Sequence, residues 1–261
     1  MLTSLQNPLV KHIRKLHRPQ GRRQAHQCLL EGTHLVEVAC QVNYPLITVC
    51  CTPHWQSTHA PLFTLLHQTG VRLEQVSPEV LSAMVTTVHP DGVVAIAHQR
   101  HPAALPIPFP QWGLALETIQ DPGNMGTLIR TAVATGVGAM WVSQDSVDIH
   151  HPKVLRASAG EWFRLPMEVC RDLSVQVQSC RRAGIQVIAT IPTAPFTYWQ
   201  VDFNQPTLIL LGNEGEGLSS PLLDLADVRV SIPLQGGVES LNVSIAAALL
   251  LYEARRQCLP C

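Results

Sequence analysis

Residues 208–219 read LILLGNEGEGLS: an apolar run, then a turn with glycines at 212, 215 and 217, then a serine able to cap a helix. A buried-type strand that runs straight into a glycine turn and a helix is the repeating step of an α/β domain with a mostly parallel sheet. The glycines let a ligand come close to the backbone. Their order is not the dinucleotide G-x-G-x-x-G, and Glu214 and Glu216 would repel a pyrophosphate. No lysine comes after them to make a Walker loop. Carboxylates in the turn suit an uncharged or cationic ligand with donor groups, such as a nucleoside bearing an amino acid tail.

Two further stretches share this form. DPGNMGTLIRTA (121–132) comes after a strand-like run at Leu114 to Ile119 and leads into a helix. Pro122, Gly123 and Gly126 call for a loop, and Asn124 or Thr127 can cap the helix. Arg130 then falls in the first helical turns, where a cation opposes the helix dipole and needs either a functional anion or a nearby acid. SIPLQGGVESLNVS (231–244) again places a strand end and glycines before a helix, with Ser240 and Asn242 as natural N-cap residues. That helix, Val243 to Tyr252, is apolar nearly all round, which predicts burial on several faces and a subunit contact. Further strand-like runs lie at Ala139 to Ser143, Ile185 to Ile191 and Val228 to Ile232. Open α/β sheets bind ligands beyond the carboxyl ends of their strands, so the three glycine-bearing loops are expected to share one pocket. All 12 histidines lie at or before His151, which argues against a histidine base there.

Working upstream, QRHPAALPIPFPQ (99–111) holds four prolines and reads as an extended boundary. Before it, helical patterns at Pro8 to Leu16, Thr33 to Cys40, Pro61 to Gln68 and Pro78 to Met84 alternate with apolar runs at Ile47 to Cys51, Val71 to Val76 and Val93 to Ala97. This predicts a smaller α/β domain over 1–98, a linker over 99–111 and a second α/β domain over 112–261. With 18 Lys and Arg against 19 Asp and Glu, the chain has a formal charge of −1, so any preference for a polyanion must be local. Residues 11–23 supply it: Lys11, Arg14, Lys15, Arg18, Arg22 and Arg23 precede the first acid, Glu31, and form a candidate RNA-backbone contact. A solvated terminal helix is the plainer reading of the same charges. The eight cysteines are scattered, with no secretory signal beside them, and are expected to be reduced thiols. The terminal Cys258-Leu-Pro-Cys261 lacks a second ligand pair for zinc. Without a membrane-length apolar run, the expectation is a soluble cytoplasmic protein.

Taken together and in order, DPGNMGTLIRTA, LLGNEGEGLS and IPLQGGVESLNVSIAAALLLYE resemble the three motifs of SpoU-type (TrmH-like) RNA ribose 2'-O-methyltransferases of the SPOUT superfamily. SLQNPLVKHIRKL and LLEGTHLVEVA are similar to that family's RNA-binding domain, and HPKVLRASAG (151–160) to its segment between the first two motifs. The resemblance implies a trefoil-knotted C-terminal domain that binds S-adenosylmethionine, a homodimer through the second and third motifs, and no metal. It implies catalytic positions at Asn124, Arg130, Glu214, Ser240 and Asn242. Cofactor positions carry over to Thr190, Gly212, Asn213, Gly217, Ile232, Leu234 and Leu241. Val133 departs from the family's usual small or acidic residue and touches only local helix packing.

The expected activity is S-adenosylmethionine-dependent methylation of a ribose 2'-hydroxyl in structured RNA, with ribosomal RNA favoured over transfer RNA because a separate N-terminal module suits a large folded substrate. Arg130, the family's proposed base, is normally protonated, so its more natural role is to orient an RNA phosphate that helps draw off the proton, or to lose its own proton transiently in the complex. Alignment of the reactants would supply most of the acceleration, roughly 7 to 11 kcal/mol. The competing reading is an RNA-binding or ribosome-assembly protein that keeps the fold without the chemistry; a redox or zinc role of the terminal cysteines is a distant third.

Overall fold

The computed structural model describes residues 1–99, 105 and 111–258. Most of the proline-rich stretch and the last three residues, Cys261 included, lie outside them, so the linker and the terminal cysteine pair are not described. The described residues form two compact units.

The first unit comprises α1 (Pro8–Leu16), α2 (Pro19–Ala25), β1 (Gln27–Glu31), α3 (Thr33–Gln41), β2 (Leu46–Cys51), α4 (Pro53–Thr58), α5 (Ala60–Gln68), β3 (Arg72–Gln75), α6 (Pro78–Met84) and β4 (Val93–His98). Its four strands run in the order β1-β4-β2-β3, with β4 antiparallel to both neighbours and β2 parallel to β3. Helix α1 starts where Asn7 accepts from the Leu9 backbone N–H and Pro8 opens the first turn. It buries Val10, Ile13 and Leu16 against Leu29, Ile96 and Leu81. Residues Asp148–Phe163, which the sequence reading assigns to the C-terminal domain, pack with this unit.

The second unit contains β5 (Trp112–Leu116), α7 (Pro122–Thr135) and β6 (Ala139–Ser143). The chain then supplies α8 (Pro152–Ala157) to the first unit and returns for β7 (Met167–Cys170), α9 (Leu173–Arg182), β8 (Gln186–Thr190), β9 (Phe196–Thr197), β10 (Thr207–Leu211), α10 (Ser220–Leu225), β11 (Val228–Ser231) and α11 (Val243–Cys258). The sheet order is β7-β6-β5-β10-β8-β11-β9 and every pairing is parallel, so all carboxyl ends lie along one edge. Central strands such as β5, β6 and β10 are buried along their whole length, as a sheet covered on both faces requires.

Four expectations near the first motif are corrected. Strand β5 ends at Leu116, short of Ile119, because Thr118 adopts a φ of 55° and its N–H is taken by Ser143 Oγ at 2.8 Å. Pro122, Gly123 and Gly126 lie inside helix α7 and not in a loop. Asp121 is the cap, its Oδ1 accepting from the Asn124 backbone N–H at 2.9 Å, and proline fits the first helical position. Arg130 is therefore the ninth helical residue, past the turn in which the dipole acts, so the predicted electrostatic conflict does not arise. Helix α11 also runs beyond Tyr252, to Cys258.

Candidate active site

At the carboxyl ends of the adjacent strands β10, β8 and β11 lies a cavity of about 430 Å³. All seven carried-over cofactor positions line it: Thr190 after β8; Gly212, Asn213 and Gly217 after β10; Ile232, Leu234 and Leu241 between β11 and α11. The pocket expected from three motif loops is thus built from the second and third motifs and the turn after β8, while the first motif stays behind its wall.

The β10 turn is a miniature hairpin. Asn213 N–H donates to Gly217 O at 3.1 Å, and Gly217 N–H donates back to Asn213 O at 2.9 Å. A Cβ on Gly212 would sit 2.2 Å from Gly217 O, so glycine is the residue this approach permits. The Asn213 side chain is spent on the turn itself: Oδ1 accepts from Gly215 and Glu216 N–H groups at 2.8 and 3.2 Å, and Nδ2 donates to Thr118 O at 2.9 Å. With its backbone N–H and carbonyl engaged in the hairpin as well, Asn213 acts by shaping the turn that lines the cavity. Two residues outside the motifs complete the turn. Thr118 supplies the carbonyl, and Glu117 Oε2 accepts from Ser219 N–H at 2.7 Å, pinning the start of α10. The first signal was hidden because a left-handed threonine reads as strand sequence.

Behind this wall runs a chain of carboxamides. Asn124 Nδ2 donates to Glu214 Oε1, and Asn242 Nδ2 donates to Asn124 Oδ1 at 2.9 Å. Buried Ser244 donates its hydroxyl to Asn124 O at 3.1 Å, and Asn242 Oδ1 accepts from Ser244 N–H, capping α11. Asn124, Glu214 and Asn242 are thus brought together, and Glu214 and Ser240 also line the cavity. Arg130 is not: it is exposed, lines no part of the cavity and has no hydrogen bond or ion pair among the described residues. It lies six residues after Asn124, about 120° away around α7.

The cavity's chemistry can be matched to a ligand. Glu214, Glu216 and Glu239 face it and no cation among the described residues does, which favours a positively charged guest. Thr190 Oγ1 is buried with no hydrogen-bond partner among the described residues, a polar atom that a bound ligand would satisfy. Leu211, Ile232 and Val243 supply an apolar wall. A sulfonium nucleoside with an amino acid tail meets all three conditions.

Residues 112–252 match the model of the SpoU rRNA methylase family, and residues 7–95 match that of an MRM3-like substrate binding domain. The chain belongs to the SpoU family. It is accordingly an RNA methyltransferase, as the three motifs imply. The chain is 47% identical to an uncharacterized tRNA/rRNA methyltransferase of Synechocystis sp., over 98% of this chain and 93% of that one. It is 31% identical to a 23S rRNA (guanosine(2553)-2'-O)-methyltransferase of Bacillus subtilis, over 97% and 98%. An AdoMet-bound rRNA methyltransferase from Sinorhizobium meliloti superposes with a TM-score of 0.86 at 30% identity, covering 99% of this chain and 98% of that one.

The basic segment needs one correction. Lys11, Arg14, Lys15 and Arg18 are exposed along one side of α1 and just beyond it, and Arg23 is exposed on α2. Arg22 is fully buried. It pairs with Asp148 at 2.6 Å and donates to Leu16 O and His17 O, so it builds the unit and cannot contact RNA. The buried cysteines of the first unit are quiet: burial, with Asp148 nearby, pushes the Cys28 thiol up to about 12, and burial likewise raises Cys50 to about 12 and Cys51 to about 11. No group of three metal-ligating side chains occurs among the described residues. No helix among them is long and apolar enough to cross a membrane.

Proposed function

We propose that this chain transfers the methyl group of S-adenosylmethionine to a ribose 2'-hydroxyl of ribosomal RNA, in the bacterial manner of its 23S-directed relatives and in the cytoplasm. The observation that carries the reading is the cavity at the ends of β8, β10 and β11, whose acidic, partly apolar lining and orphaned Thr190 hydroxyl fit the cofactor. Backbone groups at Thr190, Gly212, Ile232 and Leu241 hold it, Gly217 keeps the turn closed and Leu234 covers an edge. S-adenosylmethionine supplies an activated methyl group when bound; the protein's share is alignment and charge.

Asn124 and Asn242 hold Glu214 in place, and Ser240 stands at the cavity mouth. Arg130, exposed and outside its own chain's cavity, orients an RNA phosphate. Lys11, Arg14, Lys15, Arg18 and Arg23 of the 1–98 domain contact the RNA backbone. The C-terminal domain threads as the family's trefoil and pairs as a homodimer through α11, whose Ile245, Leu249 and Tyr252 are exposed on one stripe. Isothermal titration with S-adenosylmethionine is expected to show one site per chain, and ribose-methylation mapping of total RNA with and without the gene to lose a single ribosomal site. Absence of cofactor binding would leave an RNA-binding or assembly protein. Arg130→Ala is expected to lower the methylation rate while cofactor affinity stays unchanged; an unchanged rate removes Arg130 from the mechanism.

A further inference from the structure

The first unit has a recess of its own, about 270 Å³, between the start of α3 and the loop from Val85 to Val93. Pockets for drug-sized ligands span roughly 300 to 1,000 Å³, so this one suits a single ring system. Leu35, Val85 and Val93 form its apolar floor, and His34 and His89, both exposed, stand in its lining. The His34 ring is held by a 3.1 Å bond from Nε2 to Ala159 O.

The charges point to the kind of guest. Arg156 is committed to Glu31 and to Thr86 Oγ1, and Glu31 also accepts from Thr86 N–H at 2.9 Å. That guanidinium is neutralised. Asp91 adds a second carboxylate: its Oδ2 accepts from Thr33 N–H at 2.7 Å, and its Oδ1 has no hydrogen bond among the described residues. Two carboxylates against one paired arginine do not make a phosphate cradle. No three His, Cys, Asp or Glu side chains among the described residues are grouped to hold a metal, so the recess is not a metal site either. A flat group with N–H donors is what an apolar floor, imidazole faces and a free carboxylate oxygen can hold together.

We propose that this recess takes one unstacked, amino-bearing nucleobase of the RNA substrate, stacked against His34 and His89 and read by Asp91. Single-stranded RNA is recognised in this way, by stacking on rings and hydrogen bonds to base edges. The proposal rests on the reading that the first unit binds RNA, whose backbone contacts come from α1 of the same unit.

The test uses the full chain and fluorescently labelled single-stranded hexaribonucleotides, rich in guanine or in uracil, with the matching duplex as control. The wild type is expected to prefer the guanine-rich strand. His34→Ala with His89→Ala is expected to weaken its binding by at least about fivefold, the lower end for loss of one stacked base. Asp91→Asn keeps an acceptor for Thr33 and turns a donor toward the base, so it is expected to remove the preference for guanine over uracil while thermal midpoint and S-adenosylmethionine affinity stay at wild-type values. Lys15→Glu with Arg18→Glu serves as the second arm. If those charge reversals weaken binding and the recess variants do not, the unit binds RNA but the recess holds no base. If neither set changes binding, the RNA reading of the unit falls as well.

Discussion

Asn124 and Asn242 lie 118 residues apart and meet through one hydrogen bond, Asn242 Nδ2 donating to Asn124 Oδ1 at 2.9 Å. Because Asn124 also donates to Glu214, a single carboxamide links the first, second and third motifs. Both ends of the Asn124 amide are used, so replacement by aspartate removes the donor and sets two carboxylates against each other. A hydrogen bond to a charged group contributes about 1.5–3 kcal/mol. Asn124→Asp is expected to lower the methylation rate by roughly tenfold to a hundredfold, with a much smaller change in thermal midpoint, since the site faces solvent. Single-turnover kinetics with saturating cofactor check this; a rate within twofold of wild type would remove the amide chain from the chemistry.

Gly212→Ala tests the hairpin beneath the cavity. The added Cβ would fall 2.2 Å from Gly217 O, and both partners are backbone, so neither can swing aside. The expected result is loss of measurable S-adenosylmethionine binding in titration calorimetry, with the fold retained by circular dichroism. Gly215→Ala is the control: its nearest neighbour would be Asn213 Oδ1 at 3.5 Å, an ordinary contact, and cofactor binding is expected to persist.

How much of the molecule was legible in the sequence depends on how local each signal is. The run at 208–211 with its glycines specifies strand, turn and helix within twelve residues, and the helix at Pro8–Leu16 has its cap, its proline and its apolar face all in one stretch. Strand β1, by contrast, is five residues that begin directly after a basic cluster, and its pairing partner β4 lies some 65 residues on. Arg22 and Arg23 are identical in local terms, yet one is buried and the other exposed, because the partner that decides it, Asp148, is 126 residues away. At the first motif, proline and glycine read as loop signals, but Asp121 reaches over the first turn and the helix absorbs them.

The Arg22–Asp148 pair also makes a stability prediction. Burial acts to raise the Asp148 carboxyl, but hydrogen bonds from His150 and the Arg22 guanidinium outweigh it and hold the group well below the ordinary carboxylate range. A depressed folded value means the stabilisation is complete above the unfolded carboxylate pKa of about 3.9 and is lost as pH falls through the folded value. Arg22→Met leaves Asp148 buried without its cation and is expected to cost about 3–5 kcal/mol. Denaturant unfolding at pH 7 and at pH 3 checks both points: the wild type is expected to lose part of its advantage over Arg22→Met at the lower pH. Arg23→Met, at an exposed position, is expected to change stability by less than about 0.5 kcal/mol.

The α11 stripe bears on assembly. Val243, Ala247, Leu250 and Leu251 face the core, while Ile245, Leu249 and Tyr252 recur at helical spacing on the outer side and stand 53%, 36% and 56% exposed beside Tyr198. Bulky residues in such a row, on a helix whose other face is already buried, are what the proposed homodimer would cover. In a two-fold dimer each substitution counts twice. Burying one leucine contributes about 1.5–3 kcal/mol, so Leu249→Glu removes roughly 3–6 kcal/mol from a symmetric contact, before any charge repulsion. Sedimentation velocity at micromolar concentration is expected to show a dimer for the wild type and a folded monomer for Leu249→Glu. Tyr252→Glu is expected to act in the same direction, and Arg255→Glu, outside this stripe, to leave the dimer intact. A wild-type chain that sediments as a monomer across that range would leave the stripe without a second copy to cover it.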